Sequence, residues 1–312
     1  IFFSKISKRK KILTFLIIFF ILFLYPLLIL EIDKIHPTYQ KSKIVLQNNL
    51  MIINNYIKSF NQKTETIYLD IQDLDFKKLE YIKKLSNKYY LGLDNLDEVS
   101  LKRKEWVPAL LRYENQEYNI DIRVKGQSYD HWGKYGSYKI KMKNDDTLFG
   151  MKRFAVQHPK TRGFMNEWYY HKFLLFNDLI SLRYKFIRLN LNGEQFPIFA
   201  LEENFDKRLL ENNQKKEGLI FRINLNLEYP VQFQHSEREI QENEFFIEQS
   251  KIIKKNIELF FDNKLLPSDI FDIPSLAKFY AIKDLWGNRH AGQLKNMRFY
   301  YNQLTSLIEP VG

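Results

Sequence analysis

Two short segments of the chain put basic residues at alternate positions, where they could meet an anion. In Tyr118-Asn-Ile-Asp-Ile-Arg-Val-Lys125, Tyr118, Ile120, Ile122 and Val124 fall on one side of an extended strand, with Arg123 and Lys125 on the other. In Tyr138-Lys-Ile-Lys-Met-Lys143 the same period of two sets Lys139, Lys141 and Lys143 against Tyr138, Ile140 and Met142. The loop between the segments carries Gly126, Gly133 and Gly136. Backbone N–H groups approach an oxyanion closely where a Cβ is missing, so strand, glycine loop and strand can cradle phosphate oxygens. The competing reading is a half-exposed hairpin whose lysines are simply solvated.

Several other elements must position these residues. Arg162 to Asp178 has helical spacing, with Met165, Tyr169, Phe173 and Phe176 near one face and Glu167 in its first turns, and the polar stretch Gln157 to Gly163 precedes it. Tyr184 to Leu191 and Gln195 to Glu203 form a hairpin across Asn192-Gly193, a dipeptide that supplies two positive φ angles. The hairpin runs into Leu-Glu-Glu-Asn-Phe-Asp206. Asp272-Ile-Pro-Ser opens a helix with Leu276, Phe279, Ile282 and Trp286 on one side, which Gly287 closes. A polar loop from Asn288 follows and leads into an aromatic strand ending at Tyr301. Within it His290, beside Arg289 and near Asn296, has the chemistry of a proton carrier near neutral pH or of a structural hydrogen-bonding residue.

Composition narrows the classes. The 312 residues hold 48 Lys plus Arg against 37 Asp plus Glu, a formal charge of +11, and no cysteine. Disulfide scaffolds, thiolate metal sites and cysteine nucleophiles are excluded. With 45% apolar residues, 26 Phe and 19 Tyr, the chain has ample material for a core. Ile12 to Leu30 is a run of 19 uncharged residues, about 28 Å as a helix and so one hydrocarbon thickness. Five basic residues from Lys5 to Lys11 precede it, which places the N-terminus in the cytoplasm and the rest outside the cell membrane. The organisation expected is a basic flank over 1–11, a transmembrane helix over 12–31, a helical stalk over 32–65 and one α+β domain over 66–312. Setting the five flank charges aside leaves +6, a moderate excess. No nucleic-acid module is recognisable, so nucleic acid is not an expected partner. Binding of anionic polymers by charge alone is a further reading of the basic strands.

The chain resembles the CotH family, the spore-coat-protein-H-like proteins with an atypical protein-kinase fold. The resemblance rests on Ile122-Arg-Val-Lys-Gly126, Ser137-Tyr-Lys-Ile-Lys141, Phe149-Gly-Met-Lys-Arg-Phe154, Gln157-His-Pro-Lys-Thr-Arg162, Asn166-Glu-Trp168, Leu191-Asn-Gly193, Leu201-Glu-Glu-Asn-Phe-Asp206 and Asp284-Leu-Trp-Gly287, with His290, Asn296 and Phe299-Tyr300. These stretches follow the family's order across residues 66 to 312. The resemblance implies a two-lobed kinase-like fold, its second lobe incomplete here, that binds ATP and Mg²⁺ and transfers the γ-phosphoryl group to hydroxyls of envelope or surface proteins. The alternative is a structural or adhesive surface protein on the same scaffold. By the same resemblance Gly126 and Ser128 belong to the loop over the phosphates, with Arg123 and Lys125 beside it. Lys139 or Lys141 is the phosphate lysine, Glu167 its helix partner, Glu202 or Glu203 the adenine-side residue between the lobes, and Asn296 the metal ligand.

Two departures accompany the resemblance. The catalytic Asp expected five residues before the metal-binding Asn is replaced by Ala291, leaving Asp284, Asn288 and His290 as the nearest alternatives. The chain begins at Ile1 and stops at Gly312, ahead of the carboxylate that would complete the metal site, so a fragment of a longer protein is expected.

Overall fold

Beyond residue 65, runs in which apolar and polar residues alternate form seven strands before Asn204, most paired with their neighbours in sequence and one pair joined over a long distance. The computed structural model describes residues 37–60, 64–91, 99, 101–126, 129–133, 135–225, 230–288, 291–294 and 296–312. The chain divides into two units, Ile1–Lys63 and Thr64–Gly312. In the first, helix α1 (Pro37–Phe60) lies within the stretch expected as a helical stalk.

The second unit opens with β1 (Thr66–Asp70), α2 (Asp73–Tyr90), β2 (Val107–Tyr113), β3 (Gln116–Val124), β4 (Tyr138–Met142) and β5 (Arg153–Gln157), followed by α3 (Asn166–Phe176), β6 (Tyr184–Leu191) and β7 (Glu194–Glu203). The seven strands close into a barrel in the order β1-β2-β3-β4-β5-β7-β6. Neighbours are antiparallel except β1 and β6, whose parallel pairing, Thr66 with Arg188 through Leu69 with Leu191, shuts the barrel. Asn192 clamps the seam. Its Oδ1 accepts from Ile71 N at 2.7 Å, its Nδ2 donates to Ile71 O at 3.1 Å, and its backbone N–H donates to Leu69 O at 2.9 Å. The inward face is apolar, with Ile67, Leu69, Ile120, Ile122, Ile140, Phe154, Ile187 and Leu201 all at or below 1% exposure, so Arg123, Lys139 and Glu202 are left for the outer wall.

The chain continues with α4 (Lys207–Asn212), β8 (Ile220–Ile223), β9 (Val231–Phe233), α5 (Glu237–Gln241), α6 (Glu244–Phe261), α7 (Pro267–Ile270), α8 (Ile273–Leu285), β10 (Arg298–Asn302) and β11 (Leu307–Val311). Four strands form a second sheet in the order β11-β10-β8-β9. It shares a separate core with α3, α6 and α8, through Tyr170, Leu174, Phe221, Ile253, Ile257, Phe279 and Phe299. Asp272 caps α8 by accepting from Ser275 N at 3.0 Å, and Gly287 follows the helix with φ +61°.

This architecture corrects the fold expected from the resemblance. Helices and strands are mixed, but the first part of the domain is a closed seven-stranded barrel with a separate four-stranded sheet, where a two-lobed kinase-like fold was expected. The reason is the pairing of β1 with β6 across about 120 residues, which no local pattern announces. Among the described residues no helix is long and apolar enough to cross a membrane, and the span expected over 12–31 lies outside them. Helix α3 also turns the other way from the face singled out in the sequence. It buries Tyr170, His171 and Leu174, while Met165, Tyr169, Phe173 and Phe176 are exposed. Tyr169 and Phe173 instead pack on Trp286, each with ring centroids 5.0 Å apart.

Candidate functional site

The barrel register lines up one row of side chains across four strands. Arg123 on β3 stands opposite Lys139 on β4, Lys139 opposite Ala155 on β5, and Ala155 opposite Glu202 on β7. Lys125 lies two residues beyond Arg123, on the same face. Its Nζ donates to Glu202 Oε1 at 2.8 Å and to Gln157 Oε1 at 2.9 Å. Gln157 Nε2 donates to Glu202 Oε2, and Arg162 Nε lies 3.4 Å from the same oxygen. Arg162 ends a short 3-10 turn, Pro159–Arg162, which His158 caps by accepting from Lys160 N at 3.2 Å. Burial disfavours a charged Glu202, but Lys125 and Arg162 outweigh that and hold its carboxyl well below the ordinary carboxylate range. Glu202 in turn raises Arg162.

This ion pair faces a cleft of about 1010 Å³ between the barrel wall and the second sheet. A smaller chamber of about 330 Å³ adjoins it, and Arg123, Lys125, Lys139, Glu202, Phe205 and Arg298 line both. Eight basic and three acidic side chains line the larger chamber. Burial, with Lys125 and Arg123 nearby, pulls Lys139 down to about 8. Burial and Arg222 bring Arg298 down to about 10. Five buried polar atoms on the cleft wall have no hydrogen-bond partner among the described residues: Arg123 Nε, Tyr170 Oη, His171 Nε2, Trp286 Nε1 and Arg298 Nε. Buried donors are normally satisfied, so an excess of cations with orphaned donors fits a bound polyanion such as a phosphate chain.

The fold sets most of the residues singled out in the sequence around the two chambers. Arg123, Lys125, Gly126, Lys139, Glu167, Glu202 and Asn296 all line the larger chamber. Lys141 and Glu203 line only the smaller one. Ser128 and His290 lie outside the described residues. The lysine held by a carboxylate is Lys125, paired with Glu202, whereas Glu167 accepts from Asn288 Nδ2 at 3.3 Å and sits 3.6 Å from His171 Nε2. Glu203 is a structural clamp, 2% exposed. Arg183 donates to its Oε2 through both N and Nε at 3.0 Å, and carries its Nη1 to Phe149 O at 3.0 Å. Asn296 donates its Nδ2 to Gln293 Oε1 at 3.2 Å. Among the described residues no group of three His, Cys, Asp or Glu side chains could hold a metal.

No protein-family model and no curated protein matches the chain.

Four of its members were not singled out in the sequence. Gln157 and Arg162 were visible only as the ends of a polar motif, and Arg298 only as the start of an aromatic strand. The fourth addition is His131, 5% exposed, whose Nδ1 lies 2.9 Å from Ser137 Oγ. Burial pushes its ring down to about 4, against the pull of Asp130. A folded value below the unfolded one, about 6.5, means that the unfolded chain takes up the proton first. Stability from His131 is thus present above pH ~6.5 and lost as pH falls towards 4, a change of about 3 kcal/mol. In urea titrations at pH 7 and pH 4.5, His131→Asn is expected to be destabilised at pH 7 and to approach the wild type at pH 4.5. A constant difference would contradict the assignment.

Proposed function

We propose that the cleft binds the phosphate chain of a nucleoside triphosphate and that the protein is a CotH-like phosphotransferase, anchored through residues 12–31, acting on hydroxyls of envelope or surface proteins. The observation that carries this reading is the buried Lys125–Glu202 pair, with Arg162, on the wall of a cleft lined by eight basic and three acidic side chains. Phosphoryl transfer is chiefly a matter of positioning and charge neutralisation, and a lysine fixed by a carboxylate and an amide cannot swing away from its ligand. ATP would supply the phosphoryl group. Lys125 and Arg162 hold its phosphates, and the low dielectric of the cleft strengthens each contact. Glu167, in no ion pair with Lys or Arg among the described residues, is placed to accept the proton of an acceptor hydroxyl. The analogy to the family concerns chemistry and residue order, since function resides in sites more than in folds.

Incubation of the full chain with γ-labelled ATP and envelope protein tests this reading. Label transfer is expected with the wild type, and Glu167→Gln is expected to bind ATP while losing about a hundredfold in transfer. Transfer unchanged in Glu167→Gln would contradict the proton role. A second reading keeps binding and drops transfer: a surface scaffold protein. Ala291 favours it, packed against the second core where a catalytic carboxylate was sought. ATP binding without label transfer would decide for that reading.

A further inference from the structure

The cations between the two chambers do not belong to the Lys125 pair. Lys139 makes no hydrogen bond or ion pair among the described residues. Arg123 lies 4.6 Å from the Trp106 ring centroid without a carboxylate partner. Arg298 donates only to the backbone, to Asn296 O at 2.7 Å and Met297 O at 3.2 Å, and lies 5.3 Å from the Phe205 ring. Arg123 and Lys139 are direct cross-strand partners, which sets two like charges about 5 Å apart at Cβ. Arg298 comes from the other sheet and lines the same two chambers. The Nε atoms of both arginines are buried and unbonded. Glu202 lines the same two chambers but is held by Lys125 and Arg162, so like charges from two separate layers, with orphaned donors and no carboxylate bonded to them among the described residues, form a site that an entering anion would satisfy.

We infer that Arg123, Lys139 and Arg298 form a second oxyanion subsite, distinct from the Lys125–Arg162 position, that takes a phosphate group. Three side chains from three strands in two sheets line the same space and suit the oxygens of a tetrahedral phosphate, the two guanidinium groups adding their forked geometry. The subsite goes beyond the nucleotide reading and does not depend on it. Its phosphate comes either from a distal part of the nucleotide chain or from a separate phosphate-bearing molecule.

Inorganic phosphate is the probe, titrated calorimetrically into the full chain at constant ionic strength, with chloride as the reference anion. The wild type is expected to bind phosphate, and Lys139→Gln and Arg298→Gln are each expected to weaken it about tenfold or more. Lys143→Gln, whose lysine pairs with Asp121 at 2.9 Å away from both chambers, is expected to change nothing. Thermal melts of each variant separate loss of the subsite from loss of the fold. Saturating ATP then distinguishes the sources. Phosphate binding that persists with ATP assigns the subsite to a second ligand, and competition assigns it to the nucleotide. Phosphate binding without any ATP binding supports the subsite and overturns the nucleotide reading instead. Failure of the wild type to bind phosphate in preference to chloride, or equal binding in the folded Lys139→Gln and Arg298→Gln variants, overturns the subsite.

Discussion

Lys125→Met is expected to lower the unfolding free energy by about 3–5 kcal/mol, towards the lower end because Arg162 stays near Glu202. The cause is the carboxylate left behind. Glu202 and Lys125 keep only 13% and 10% side-chain exposure, so a charge stripped of its lysine can neither reach water nor protonate without cost. The signature is non-additivity. Lys125→Met with Glu202→Gln removes both charges, and it should recover most of the loss because Gln157 and Arg162 can still bond the new amide. Urea titrations of wild type, both singles and the double measure this directly, with unchanged m-values as evidence that the native state is retained. A double mutant as unstable as the sum of the singles would show that the pair is not the unit described here.

Gly126→Ala is expected to be comparably damaging, for a reason of backbone rather than charge. Gly126 has φ +100°, a conformation that L side chains rarely adopt, and a Cβ there would lie 2.3 Å from His131 Cγ. Conformational strain of about 1–3 kcal/mol adds to the cost of displacing a buried ring. The ring fills the space that a glycine-loop cradle would leave for a phosphate, so Gly126 serves His131 and the turn, while its carbonyl accepts from Arg103 Nη1 at 3.0 Å. His131→Ala combined with Gly126→Ala relieves the clash but not the φ strain. The double is therefore expected to recover part of the stability lost in Gly126→Ala, and full recovery or none would each contradict this division of the cost.

Local patterns carried much of the fold. The alternation in β3 and β4 correctly separated core from basic face, Asn192-Gly193 formed its hairpin with φ +50° and +86°, and Asp272 began α8 as its capping chemistry requires. What lay beyond reach was long-range pairing. The barrel closes through strands about 120 residues apart, and Lys125 on β3 meets a glutamate 77 positions away because β4 and β5 join β3 to β7 in the barrel wall. Period two put Arg123, Lys125, Lys139 and Lys141 on one face but could not say which of them would find an acid. Helix α3 misled for a related reason. Its aromatic residues occur all round, so the choice of buried face fell to the second sheet and to Trp286 rather than to the sequence of the helix itself.

The claim on which the account turns is that the cleft recognises the phosphates of a nucleoside triphosphate. Calorimetric titration of ATP and of adenosine into the full chain, at low and at high salt, tests it most directly. ATP is expected to bind, adenosine to bind at least about a hundredfold more weakly, salt to weaken ATP binding, and the folded Lys125→Met/Glu202→Gln protein to lose it. Equal affinity for ATP and adenosine, or full ATP affinity in that double mutant, would contradict it.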